Sequence, residues 1–288
     1  MKTSPKVRFL NFFRNIFKIS FLERQLVKRT TGRSTYQFWS KFVPSAYQYP
    51  PGSFRIVDQN GLKLKVDISD YIGHYLYFGF KDETIDVLFS LCKPASYVID
   101  VGTNIGWTLL NLAQRSPQGK IVGFEPDPYN YQVCKENIQL NHLNNIVLLQ
   151  RGLGAQAAKT TMEVRTPNNR GGNRISPATT PGSIEVTIER LDQVEELKSW
   201  TRVDLIKIDV EGYELDVLQG AEGLLQKHQP ILFIEIDDNN LKDQGHSAHA
   251  LISFLNENGY QKILHADTKE LIFLHDNFKD CHFDIIAQ

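Results

Sequence analysis

Tyr97-Val98-Ile99-Asp100-Val101-Gly102-Thr103-Asn104-Ile105-Gly106 is the stretch on which the reading of this chain turns. Five residues of strand length and apolar character end in a loop with glycine at two positions, and an apolar helix is predicted from Ile105 to Arg115. The same rhythm continues downstream. Ile121–Phe124 reads as a strand closed by Glu125, Pro128–Leu140 as a helix and Ile146–Leu149 as a strand. After irregular strands over 150–190, with a polar loop from Pro167 to Gly182, come a strand at Val203–Ile208, a helix at Glu214–Gln226 and a strand at Ile231–Ile234. A helix near His249–Asn258 and two or three further strands complete the chain. Strands alternating with helices imply a parallel, doubly wound α/β sheet.

Upstream, the pattern differs. Phe54–Val57 and Leu62–Val66 flank Asn60-Gly61, a hairpin signal, because both turn residues must accept positive φ. Asp70–Cys92 reads as helical and rich in aromatics. Residues 5–30 alternate cations with Phe9, Leu10, Phe12, Phe13, Ile16, Phe17, Phe21 and Leu22. We therefore expect a helical and hairpin extension over 1–80 and the main domain over 81–288.

Composition narrows the class. In 288 residues, 41% are hydrophobic and 23% charged, which disfavours disorder and fibrous structure. Cys92, Cys134 and Cys281 are too widely spaced for a CxxC zinc site or a disulfide framework, which fits a reducing cytoplasm. No apolar run reaches the ~20 residues of a spanning helix, and no secretory signal is expected. The net charge of −1 hides an asymmetry: through Lys41 there are ten Lys/Arg and one acid, Glu23, so that segment is +9 and the rest −10. Peripheral contact with the inner face of a membrane is one reading of the basic segment; a helix packed on the domain is the other.

At Asp100–Gly106 the two glycines suit a tight turn or close approach to a ligand. Glu125, 19 residues after Gly106, stands at the end of the next strand, where an α/β nucleotide site places an acid to receive ribose hydroxyls. A dinucleotide fingerprint would need glycine where Asn104 stands. Asp100 would repel a pyrophosphate but attract an ammonium. Those two residues favour S-adenosylmethionine over NAD.

Tyr97–Gly106 (YVIDVGTNIG), Gly123–Pro126 (GFEP), Glu136-Asn137 with Asn141, Ile206–Glu214 (IKIDVEGYE), Val217–Ala221 (VLQGA) and Ile234–Ile236 (IEI) together resemble the FkbM-type S-adenosylmethionine-dependent methyltransferases. The resemblance covers about residues 80–240. It implies a class I, Rossmann-like methyltransferase fold with a seven-stranded, mostly parallel sheet and helices on both faces. It further implies methyl transfer to a hydroxyl of a sugar, glycan or related natural product, often in polysaccharide biosynthesis. By position, Asp100 would hold the methionine ammonium directly or through water. Gly102, Thr103, Asn104 and Gly106 would line the methionine and ribose region, and Glu125 would clasp the ribose. The adenine contact stays unassigned, since Gln150-Arg151-Gly152 stands where many class I enzymes carry an acid.

Asp209 and Glu211 close the fourth strand and are the candidate catalytic residues, either of them as general base toward the acceptor hydroxyl. The plainer reading is that they cap the next helix. A divalent ion such as Mg²⁺ held by Asp209 with Asp237 and Asp238 is weighed and not favoured over two solvated turn acids. Among the histidines, His74 is the best candidate for an acceptor pocket, and Asn168–Arg174 is a candidate acceptor loop. The rivals are an NAD-dependent oxidoreductase, a non-catalytic nucleoside- or partner-binding module, and a nucleic-acid methyltransferase. The last is opposed by the acidic domain, and no nucleic-acid partner is expected.

Overall fold

Alternation of buried strands and helices sets the architecture of the larger of two units into which the chain divides. The computed structural model describes residues 5–164, 166, 168–176 and 181–288. One unit comprises Met1–Asp82 with Thr166–Gly171, the other Glu83–Arg165 with Gly172–Gln288.

In the first unit, helices α1 (Pro5–Arg14) and α2 (Ser20–Thr30) are separated by a 3₁₀ turn over Asn15–Lys18. Strands β1 (Phe54–Gln59) and β2 (Leu62–Asp67) pair antiparallel around Asn60 (φ 56°) and Gly61 (φ 78°), the turn anticipated from the sequence. Helix α3 (Tyr71–Tyr77) follows, capped by the Asp70 side chain accepting from Ile72 N. Leu26, Val43 and Phe78 form a small core with Phe17, Trp39 and Phe42 packed against it. Glu23 is buried, its charge met by Arg55 Nε at 3.1 Å and by the hydroxyls of Tyr77 and Tyr49.

The second unit begins with α4 (Glu83–Ser90), so the predicted helical stretch Asp70–Cys92 is two helices. They part near Gly79 (φ 65°), where a Cβ would stand 2.7 Å from Thr31 Oγ1. Next come β3 (Tyr97–Val101), α5 (Trp107–Arg115), β4 (Lys120–Phe124), α6 (Pro128–Asn141) and β5 (Ile146–Leu149). The irregular strands expected over 150–190 are present as β6 (Gly152–Leu153), β7 (Ala158–Glu163), β8 (Arg174–Ser176) and β9 (Ile184–Glu189), and they form a sheet of their own in the order β6-β9-β7-β8. Met162, Ile175, Val186 and Ile188 make its core, and β8 lies within the stretch expected to be a polar loop. Part of that expected loop, residues 167 and 177–180, lies outside the described residues.

The main sheet resumes with β10 (Leu205–Ile208), α7 (Glu214–Gln219), α8 (Glu222–His228), β11 (Ile231–Asp237), α9 (Asp238–Asp243), α10 (Ala248–Glu257), β12 (Ile263–His265) and β13 (His282–Ala287). The single helix predicted over Glu214–Gln226 is broken at Gly220-Ala221, where Gly220 caps α7 and Ala221 (φ −112°, ψ 4°) leaves the helical region; glycine is needed at 220 because a Cβ there would lie 2.1 Å from the Gly154 carbonyl oxygen. Seven strands run in the order β12-β13-β11-β10-β3-β4-β5, with β13 antiparallel to both neighbours and the five from β11 to β5 parallel. This is the class I methyltransferase architecture. Ile99, Val101, Ile206, Ile208, Leu232, Ile234 and Ile236 are all buried, as strands covered on both faces require. Each such side chain contributes about 1.5–3 kcal/mol of burial. The chain leaves β3 toward β4 and β5 on one side and returns as β10 and β11 on the other, so a crevice opens at the carboxyl ends of β3 and β10.

Candidate active site

Two charged residues interrupt the apolar centre of the sheet. Lys207 in β10 is the register partner of Asp100 in β3, and both are buried. Lys207 Nζ lies 3.6 Å from Asp100 Oδ1 and 3.2 Å from Asp209 Oδ2, and donates to the Gly102 carbonyl at 2.9 Å. Thr108 Oγ1 donates to Asp100 Oδ2 at 2.7 Å. Burial works against the Lys207 charge, but Asp209 and Asp100 outweigh it and hold the ammonium above its ordinary range. Burial pushes Asp100 up while Lys207 pulls it down, with burial prevailing. Asp100 is thus placed inside the sheet, behind the loop it was expected to serve.

The loop itself needs three left-handed residues: Gly102 (φ 81°), Asn104 (φ 51°) and Gly106 (φ 93°). At Gly102 a Cβ would stand 2.0 Å from the Asp209 carbonyl oxygen, so glycine lets the loops after β3 and β10 touch. Because Gly106 is left-handed, α5 starts at Trp107, not Ile105. Asn137 Nδ2 donates to the Ile105 carbonyl at 2.8 Å and fixes the loop from α6. Thr103 is buried, with its hydroxyl beside the Cys134 thiol.

Glu125 follows β4 and joins this loop: Oε2 accepts from Asn104 N at 2.7 Å and Oε1 from Asp127 N at 2.9 Å. Burial pushes its carboxyl up to about 8 against those two donors. Asp127 caps α6 and accepts from the buried Asn173 Nδ2 at 2.8 Å.

After β10 the carboxylates converge. One oxygen each from Asp209, Glu211 and Glu235 lies within 4.8 Å of the others. Glu211 holds a left-handed backbone (φ 56°), and burial with Asp209 raises it to about 7. Glu235 is raised by the Asp209 charge, then by burial and by Glu211. Asn240 Nδ2 donates to Glu211 Oε2 at 2.8 Å, while its Oδ1 accepts from Arg174 Nη2 at 2.9 Å. That pair of bonds fixes which way the Asn240 amide points.

Asp237 and Asp238 are used elsewhere. Asp237 caps α9 through Asn239 N and Asn240 N and meets His282 Nδ1 at 2.9 Å. Asp238 accepts from Ala248 N and Asp280 N and pairs with Lys242 at 2.6 Å. The oxygen cage weighed from Asp209 with these two is therefore not the cluster that forms. His74 lies in the first unit with Nε2 2.7 Å from the Pro44 carbonyl oxygen, a structural role. In the expected acceptor loop, Asn168 Nδ2 donates to the Ser69 carbonyl and Arg170 N to Asp70 Oδ2. Arg174 was singled out only as the end of the expected acceptor loop, and Lys207, Glu235 and Asn240 were given no role in the sequence. For Lys207 and Glu235 a signal existed, a charge inside an otherwise apolar strand.

Residues 100–262, more than half of the chain, match the family described as the methyltransferase FkbM domain. The chain belongs to that family. It is similar to Methyltransferase 1 of Beauveria bassiana, 29% identical over a match covering 44% of this chain and 59% of that protein. The hexuronic acid methyltransferase AglP of Haloferax volcanii is 26% identical, covering 51% and 58%. The 2-O-methyltransferase NoeI of Sinorhizobium fredii is 26% identical, covering 57% and 72%. The matched stretch is thus about three-fifths of the length of the first two relatives. The residues of the loop after β3, Glu125 and the carboxylates Asp209, Glu211 and Glu235 all fall inside the family match.

Proposed function

We propose that this chain is an S-adenosylmethionine-dependent O-methyltransferase whose acceptor is a hydroxyl of a sugar, glycan or related natural product. The observation that carries the reading is the Glu125 carboxylate, buried at the end of β4 and tied to Asn104 N in the left-handed loop. Each Glu125 oxygen accepts one backbone N–H and has a second lone pair, which suits two ribose hydroxyls, and the buried Thr103 hydroxyl adds a polar atom to the same loop. The residues present therefore fit the cofactor. Glu125, Gly102, Thr103, Asn104 and Gly106 would hold it. Asp100, with Lys207, would set the loop's shape and charge from behind.

When bound, the cofactor supplies an electrophilic methyl group on a sulfonium. The chain must then present a hydroxyl oxygen in line and remove its proton. Glu211, with a carboxyl near 7, is suited to accept that proton at neutral pH, and Asp209 stands beside it. Glu211 would accept the proton that the acceptor hydroxyl gives up as its oxygen is methylated. Lys207 places a positive charge 3.2 Å from Asp209, so the acid cluster is partly neutralised by the chain's own cation; a divalent ion is not invoked. The names of the hexuronic acid and 2-O-methyltransferase relatives support the acceptor class.

The test is transfer of labelled methyl from S-adenosylmethionine to a panel of hexuronic acids and oligosaccharides. The expected result is label in an O-methyl ether, with Glu211→Gln lowering kcat by about 10²–10⁴-fold. Label on nitrogen or in nucleic acid would overturn the acceptor assignment.

A further inference from the structure

Helix α1 is attached the wrong way round for a globular helix. Its polar side chains hold it to the rest of its unit: Asn11 Nδ2 donates to the Tyr47 hydroxyl at 2.7 Å, and Arg14 Nε donates to the Lys41 carbonyl at 2.9 Å. Gln48 Nε2 donates to the Asn11 carbonyl at 3.2 Å, and in the following turn Lys18 Nζ reaches the Gln48 carbonyl at 2.5 Å. Phe9, Phe12, Phe13 and Ile16, at the i, i+3, i+4, i+7 spacing of one face, are left in solvent. Phe9 is 67% and Phe12 71% exposed, and among the described residues their ring contacts are with Phe13, at centroid distances of 4.9 and 5.7 Å. Ile19 and Phe21, the latter 62% exposed, extend the apolar surface to α2.

Charge selects what this face meets. Residues 1–41 carry +9, and their one acid, Glu23, is buried on Arg55, Tyr49 and Tyr77. Arg24, Lys28, Arg29, Arg33 and Lys41 are exposed. A second copy of the chain would bring +9 against +9. An anionic lipid surface offers both the missing counter-charge and an apolar layer for the phenylalanines. No helix among the described residues is long and apolar enough to cross a membrane, so the geometry is interfacial.

We propose that the exposed face of α1 and the start of α2 docks on an anionic bilayer surface, with the Phe side chains in the headgroup–acyl boundary and the cations among the lipid phosphates. This surface is independent of the methyl-transfer reading.

The test is flotation of the full chain with vesicles of phosphatidylcholine, with and without phosphatidylglycerol. Wild type is expected to float with the mixed vesicles and not with phosphatidylcholine alone. Phe9→Ser/Phe12→Ser/Phe21→Ser, at exposed positions that leave the fold intact by circular dichroism, is expected to bind at least tenfold more weakly. Arg24→Gln/Lys28→Gln is expected to weaken binding and flatten its salt dependence. Failure of wild type to float with mixed vesicles overturns the proposal, as does flotation unaffected by the serine variant. A wild-type dimer in sedimentation that the serine variant converts to monomer, without vesicle binding, would assign the face to a second copy instead.

Discussion

Lys207 and Asp100 face each other across the register of β10 and β3, ammonium and carboxylate 3.6 Å apart in the buried centre of the sheet. Removing one partner would strand the other's charge in a low-dielectric interior. Lys207→Met is therefore expected to destabilise the protein by about 3–5 kcal/mol, and Asp100→Asn/Lys207→Met to recover part of that loss. Denaturant unfolding measures both; a single-variant cost within error of zero would contradict the pairing.

Raised carboxyls in the site predict the pH dependence of stability. Glu125 is pushed to about 8 and Glu211 and Glu214 to about 7 by burial, against an ordinary 4.5. Between those values the folded chain binds more protons than the unfolded chain, so stability is fully present below about 4.5 and falls as pH rises through 7 and 8. Glu125→Gln should flatten that decline, seen as a smaller drop in Tm from acidic to mildly alkaline buffer. An unchanged slope would mean the Glu125 carboxyl is not raised in the folded state.

Asn240 tunes the proposed base. Its amide donates to Glu211 and accepts from Arg174, so Asn240→Asp replaces a donor with a like charge 2.8 Å from Glu211. The acidic limb of the pH–rate profile is expected to move upward by about one unit. A profile that stays in place while kcat falls would argue that Glu211 is not the titrating group.

The glycines separate close approach from backbone conformation alone. Gly102→Ala meets both a left-handed φ and a carbonyl 2.0 Å from the new Cβ, whereas Gly182→Ala has the same handedness with nothing within 4 Å. Gly182→Ala is expected to cost about 1 kcal/mol and Gly102→Ala to cost more and weaken cofactor binding. Thermal unfolding of the two side by side checks the difference.

The sheet was legible because β3, β4, β10 and β11 are short apolar runs ending in turn residues, and the loop because glycines mark its left-handed positions. Glu125 was legible from its distance along the chain. The pairing of Lys207 with Asp100 was not, since register between strands 107 residues apart is fixed only by tertiary packing. Glu235 was passed over because a lone acid in a strand near the sheet edge reads equally as solvent-facing. Arg174 could not be placed from a segment whose strands are as short as Arg174–Ser176. Strands were expected over 150–190, but their assembly into a separate sheet was not legible, because strand partners are chosen by tertiary packing.

The most direct test of the central claim is calorimetric titration of S-adenosylhomocysteine and, in parallel, NAD into wild type and Glu125→Ala. The account predicts micromolar binding of S-adenosylhomocysteine alone, weakened by the substitution by about tenfold, as loss of a hydrogen-bonding partner would give. Binding of NAD alone, or S-adenosylhomocysteine binding indifferent to Glu125, would contradict it.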